Sequence, residues 1–245
     1  MARVPKDPRD IFPSIVDDYK GVFGDGLVSI IVYGSTACGE YVAGTSDINL
    51  MIVVSEDKID SLEQAFGVIK KWRKHNVATP LLLTEDYVRT SLDVFPIEYL
   101  NFQNCHEVVY GKDILDELTF DPYLLRLQCE REIKGKLLLL REGFLETRGK
   151  GRYIQELISD SLHAFIAIFN GLLHLKGKEL PRNGRDVVTE ICATFGLDLV
   201  VFERLLDIKA KRIKPSAKEL TELFKSYLKE VRRLWKVVDI LEIGT

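Results

Sequence analysis

The sequence lacks most of what would mark a metalloprotein of the zinc type. Its four cysteines, Cys38, Cys105, Cys129 and Cys192, are widely separated and form no Cys-x-x-Cys pair, and the four histidines do not fall near them at zinc-ligand spacing. Reduced thiols in a cytoplasmic protein are the expectation. Nor is there a window of about 18 uninterrupted apolar residues of the kind a membrane span needs. The opening stretch MARVPKDPRDIFPS has no apolar core of a signal peptide. An excess of positive charge is absent too. Thirty-four Lys and Arg against 37 Asp and Glu leave a net charge of −3, which gives no general attraction for phosphate polymers or acidic membranes. Nucleic acid is therefore disfavoured as a partner, and a membrane is not expected. Internal repeats and low-complexity segments are missing as well.

What is present is ordinary globular material: 245 residues, 46% hydrophobic and 29% charged, enough for one large domain or two small ones. In the first half, short β-rich runs alternate with helical stretches. Val28 to Tyr33 (VSIIVY) and Ile48 to Val54 (INLMIVV) are apolar, rich in β-branched residues and bounded by turn formers, as buried strands are. The segment between them is too short for a full crossover, so the two strands are expected to lie antiparallel or close together with one helical turn between them. Residues 58–74 place Ile59, Leu62, Ala65, Phe66, Ile69 and Trp72 at helical spacing, which predicts an amphipathic helix. Further strands are expected at 80–84, 94–102 and 107–110.

After Gly111-Lys112-Asp113 the pattern changes. From Pro122 onward nearly everything reads as helix, with Pro and Gly marking the breaks. Helices are expected at 122–144, 153–175, 185–195, 199–207 and from 217 to about 241. The expected fold class is α+β, a mixed sheet with helices followed by an all-α bundle, with domains at 1–120 and 121–245.

One short piece of the first half offers the two things that phosphoryl transfer from a nucleoside triphosphate requires, phosphate donors and clustered carboxylates that hold divalent metal. At the end of the first strand, Gly34 lets backbone approach a phosphate, and Ser35 adds a hydroxyl at the start of a turn. Asp47 and Asn49 lie two apart at the start of the next strand, a spacing that turns both side chains to one face. A third ligand is expected from a neighbouring strand. Glu98 stands alone among the apolar residues of DVFPIEYLNF, with Asp93 as its competitor and Arg89 as an alternative partner.

In order, Gly34-Ser35, the Gly44-Thr45-Ser46-Asp47 turn, Asn49 and Glu98 resemble the motif of the polymerase-beta-like nucleotidyltransferase superfamily. The helical second half resembles the substrate-binding or HEPN-type domains joined to small members such as the aminoglycoside nucleotidyltransferases. The resemblance implies that Gly34, Ser35, Ser46 and Asn49 bind nucleotide, that Asp47 and Glu98 are catalytic, and that Asp47, Asn49 and Glu98 hold magnesium or manganese. It implies a nucleoside triphosphate as ligand and a small-molecule or protein hydroxyl as acceptor, and it leaves a homodimer open.

The chain departs from that motif at Asn49, which stands where the family carries a catalytic aspartate. A carboxamide oxygen still coordinates a hard cation, but one of three negative charges is gone, so weaker metal binding and an impaired transfer reaction are expected. The alternative is a degenerate member that uses its cleft to bind a nucleotide or a partner. The Arg-to-His spacing of HEPN ribonucleases is absent, which counts against RNA cleavage. His163 and His174, on apolar helix sequence, carry no role. Glu130 and Lys134 read as a solvated i,i+4 pair, and the basic run 209–214 reads as a connection between helices.

Overall fold

The computed structural model describes residues 4–242. Phe12–Phe23 forms α1, Leu27–Tyr33 β1, Asn49–Val54 β2, Phe66–Trp72 α2, Leu81–Leu83 β3, Glu85–Thr90 α3, Pro96–Asn104 α4 and His106–Gly111 β4. The four strands make one mixed sheet in the order β3-β2-β1-β4. The pairs β1–β2 and β1–β4 are antiparallel, and β2–β3 is parallel. Ile30 and Val32 of β1 and Leu50, Ile52 and Val54 of β2 face a core closed by Phe12, Ile15, Tyr19 and Phe23 of α1. On the other face Ile31, Met51 and Val53 are equally inaccessible. Both faces of β1 and β2 are therefore buried, which is why their sequences run as continuous apolar stretches rather than alternating.

Two expectations are corrected. Residues 94–102 do not form a strand, because Pro96 opens the helix α4. Ile97, Tyr99 and Leu100 are buried around an exposed Glu98, and proline is well tolerated at the first helical position. The Ile97 N–H donates to Gln128 Oε1 at 2.8 Å, a contact with a residue 31 positions away. The helix expected over 58–74 shrinks to α2, flanked by 3-10 turns at Leu62–Ala65 and Arg73–His75. Of its apolar stripe, Ala65 and Trp72 are buried, whereas Leu62 and Phe66 are exposed. The helix α1 was not among the elements expected from the sequence.

The rest of the chain is helical: α5 Pro122–Thr147, α6 Gly151–Leu175, α7 Gly184–Phe195, α8 Leu199–Lys209 and α9 Ala217–Asp239. Asp121 caps α5 by accepting from the Tyr123 and Leu124 N–H groups, and Ser216 with Glu219 forms a reciprocal capping box on α9. The helix α6 has the length and hydropathy of a membrane span. It is also the central helix of the bundle, with Ile154, Ile158, Leu162, Phe165 and Phe169 fully buried and with α5, α7, α8 and α9 packed against it. Rings interlock across this core: Phe169 meets Phe202, Phe202 meets Tyr227, and Tyr227 meets Phe224, each with centroids about 6 Å apart and planes nearly perpendicular.

Two compact units result, Met1–Val94 with Tyr99–Thr119 and Phe95–Glu98 with Phe120–Thr245. The division runs through α4, between Glu98 and Tyr99. Within the helical unit Glu130 accepts from Lys134 at 2.5 Å and from Arg126 at 2.8 Å, and Arg212 from the basic run reaches Asp207 at 3.4 Å. These charges serve structural pairs.

Candidate functional site

At the end of β1 the chain turns at Gly34, whose φ of +73° lies in the left-handed region that a side chain resists. Gly34–Thr36 form a single 3-10 turn. The Gly34 N–H donates to the Cys105 carbonyl at 3.2 Å, and the Cys38 N–H donates to the Gly34 carbonyl at 2.9 Å. The Ser35 carbonyl accepts from the Glu40 N–H at 2.8 Å, while its hydroxyl has no partner among the described residues. Thr36, 2% exposed, buries a hydroxyl that also lacks one. Below the turn, Tyr33 meets the edge of Phe102 at 4.7 Å, and burial pushes its phenol pKa upward.

Strand register places Tyr33 opposite Asn49 on one side and His106 on the other. Directly opposed residues share a face, so His106, Tyr33 and Asn49 form a row across three strands. The Asn49 carboxamide nitrogen lies 3.5 Å from the position a Cβ on Gly34 would take. Asp47, two residues earlier, is exposed and has no ion pair or hydrogen bond among the described residues. The Ser46 hydroxyl oxygen accepts from the Val42 N–H at 3.0 Å, and its carbonyl accepts from the Asn76 side chain at 3.1 Å. Ser46 thereby closes the turn that delivers Asp47.

The third acid is not found where the sequence placed it. Glu98 stands on a helix, and its carboxylate accepts from Gln128 Nε2 at 2.8 Å. Arg89 is beside Asp86 instead. The parallel neighbour of β2 is β3, and the residues it brings to the face of Asn49 are Leu81 opposite Met51 and Leu83 opposite Val53. No acid occurs in β1, β2 or β3. On β4, Glu107 is held by two bonds from the Arg9 guanidinium, at 2.7 and 3.2 Å. His106 is engaged through both ring nitrogens, with the Gln103 carbonyl at 2.9 Å and Asp113 at 3.0 Å.

Sequence spacing missed one feature altogether. Cys38 and Cys105 are joined by a disulfide across 67 positions, which overturns the expectation of four reduced thiols. Cys129 and Cys192 are free and buried, and burial pushes the Cys192 thiol up to about 12. Such thiols are inert at neutral pH.

The fold is similar to that of a known structure. Spectinomycin adenyltransferase AAD(9) from Enterococcus faecialis, solved with ATP and spectinomycin, superimposes with a TM-score of 0.52 over 90% of this chain and 99% of that one, at 13% identity. The fold is that of a nucleotidyltransferase. Neither a protein-family profile nor a curated protein sequence matches the chain. In this nucleotidyltransferase fold the mixed sheet carries the Gly34-Ser35 turn, and the C-terminal region is a helical bundle.

The fold family implies magnesium or manganese, which demands hard oxygen ligands, carboxylates foremost. The residues present do not fit it. Asp47 is the acid two residues before Asn49, Asn49 is neutral, and the β3 residues opposite Met51 and Val53 are Leu81 and Leu83. Among the described residues no group of three His, Cys, Asp or Glu side chains converges as a metal centre.

Proposed function

We propose that this chain binds a nucleoside triphosphate through Gly34, Ser35, Ser46 and Asn49 and does not transfer its nucleotide. The observation that carries the reading is the Asn49 carboxamide set against Gly34, on a sheet face whose β3 positions are leucines. A carboxylate at that position repels phosphate unless a cation stands between them. A carboxamide donates N–H directly to a phosphate oxygen. The site thus exchanges a metal-bridged contact for a direct one, and the single charge of Asp47 is left without the partners that transfer chemistry uses. The unpaired Ser35 hydroxyl and the open backbone at Gly34 supply further contacts to the same group.

A second reading is supported by the likeness to an adenyltransferase solved with ATP and spectinomycin. In it, Asp47 and Glu98 serve metal-dependent transfer of a nucleoside monophosphate to a hydroxyl of a small molecule or protein in the cytoplasm. Calorimetric titration with ATP, with and without magnesium, tests the first reading. Equal binding under both conditions with no labelled nucleotide transferred supports it. Turnover in the wild type that Asp47→Ala abolishes establishes the second, and no ATP binding under either condition defeats both.

A further inference from the structure

We infer that the Cys38–Cys105 disulfide is a thiol-reducible brace on the Gly34-Ser35 turn, so that the turn's order, and with it anion binding there, depends on redox state. The inference rests on the nucleotide-binding reading for its ligand but not for its geometry. Cys38 is two residues beyond the 3-10 turn, and Cys105 immediately precedes β4. The covalent link runs beside the backbone contacts already described: Cys105 supplies the carbonyl for the Gly34 N–H, and Cys38 donates its N–H to the Gly34 carbonyl. Both cysteines therefore contact Gly34 through their backbones and each other through their sulfurs. Beyond them, residues 39–47 are held by turns and by the Tyr41 hydroxyl donating to the Pro5 carbonyl at 3.0 Å, with no strand or α-helix of their own.

Cutting the link removes the covalent cross-link between the end of the turn and the start of β4, and leaves the turn tied to the sheet by the main chain of β1 and by hydrogen bonds. Cys38 is partly exposed and Cys105 is buried, so an incoming thiolate reaches the Cys38 sulfur. A dithiol reductant supplies the chemistry: one thiolate attacks Cys38 Sγ, the S–S bond breaks, and Cys105 leaves as thiolate. The second reductant thiolate then attacks the mixed disulfide, frees Cys38 and closes the reductant's own disulfide. Two electrons pass from the reductant to the protein, and two protons end on Cys38 and Cys105.

The test uses the full chain, air-oxidised or treated with dithiothreitol, with thiols counted after denaturation. The inference expects two thiols in the oxidised protein, Cys129 and Cys192, and four in the reduced one. Amide hydrogen exchange over residues 34–47 should accelerate on reduction by about tenfold or more, with β1 and β2 unchanged. Cys38→Ser should show the fast exchange under both conditions. ATP titration of the two forms should give weaker binding after reduction. Four thiols in the air-oxidised protein, or equal exchange in both forms, overturns the brace. A redox-dependent exchange rate without ATP binding in either form keeps the brace and removes the nucleotide.

Discussion

The carboxamide of Asn49 is turned toward Gly34, its nitrogen 3.5 Å from where a methyl group on that glycine would begin. This pair joins the turn at the end of β1 to the first residue of β2, and the proposed phosphate contact rests on it. The backbone of Gly34 is in the left-handed region, so Gly34→Ala should cost about 1–2 kcal/mol of stability in urea unfolding, mainly through conformation. It should also weaken ATP binding. Gly111 makes the contrast: a Cβ there would sit 2.0 Å from the Val28 carbonyl oxygen, so Gly111→Ala should cost about 4 kcal/mol or more, or fail to fold.

The disulfide closes a loop of 67 positions. Chain entropy alone assigns such a loop roughly 4 kcal/mol, so Cys38→Ser should lower the urea midpoint of the first unit well below that of the oxidised wild type. The same variant compared with reduced wild type should differ little.

Asp113 should make part of the acid limb. Burial pulls its pKa up, but His106 and the N–H groups of Leu115 and Asp116 outweigh that and hold the carboxyl below its ordinary 3.8. A depressed pKa contributes stability that is complete above the unfolded value and fades as pH falls through the folded one. The window therefore lies below about pH 4. Melting temperatures of wild type and Asp113→Asn should differ most near neutrality and converge as the pH drops through that window.

Gln128 and Glu98 separate structure from function. Gln128 accepts the Ile97 N–H and donates to Glu98, so Gln128→Ala removes a buried acceptor and should cost about 1–3 kcal/mol. Glu98→Gln keeps a hydrogen-bonding partner and should leave ATP affinity within about twofold of wild type by calorimetry.

How much was legible in the sequence follows from where the deciding contacts lie. The strands β1 and β2 could be read because burial on both faces writes continuous apolar, β-branched runs between turn residues. The helices α5 to α9 could be read because Pro, Gly and capping residues such as Asp121 and Ser216 punctuate them locally. Gly34-Ser35 and Asp47 were visible as a spacing. The helix α4 was not, because IEYLNF is as suitable for a strand as for a helix, and the Gln128 contact at its start comes from 31 residues away. That error put Glu98 on the sheet. The shortening of the 58–74 helix is similar: the Lys58 side chain lies against Gly26, where its Cγ would be 2.5 Å from an added Cβ, a tertiary contact with no local signature. A disulfide spanning 67 positions leaves none either.

In the nucleotide-binding reading proposed above, Asn49 replaces a metal-bridged phosphate contact with a direct one. ATP titration of wild type and Asn49→Asp, each with and without magnesium, tests it most directly. Wild-type affinity should be indifferent to magnesium, and Asn49→Asp should lose affinity without magnesium and regain it when the ion is added. Wild-type binding that requires magnesium, with the requirement unchanged in Asn49→Asp, would contradict it.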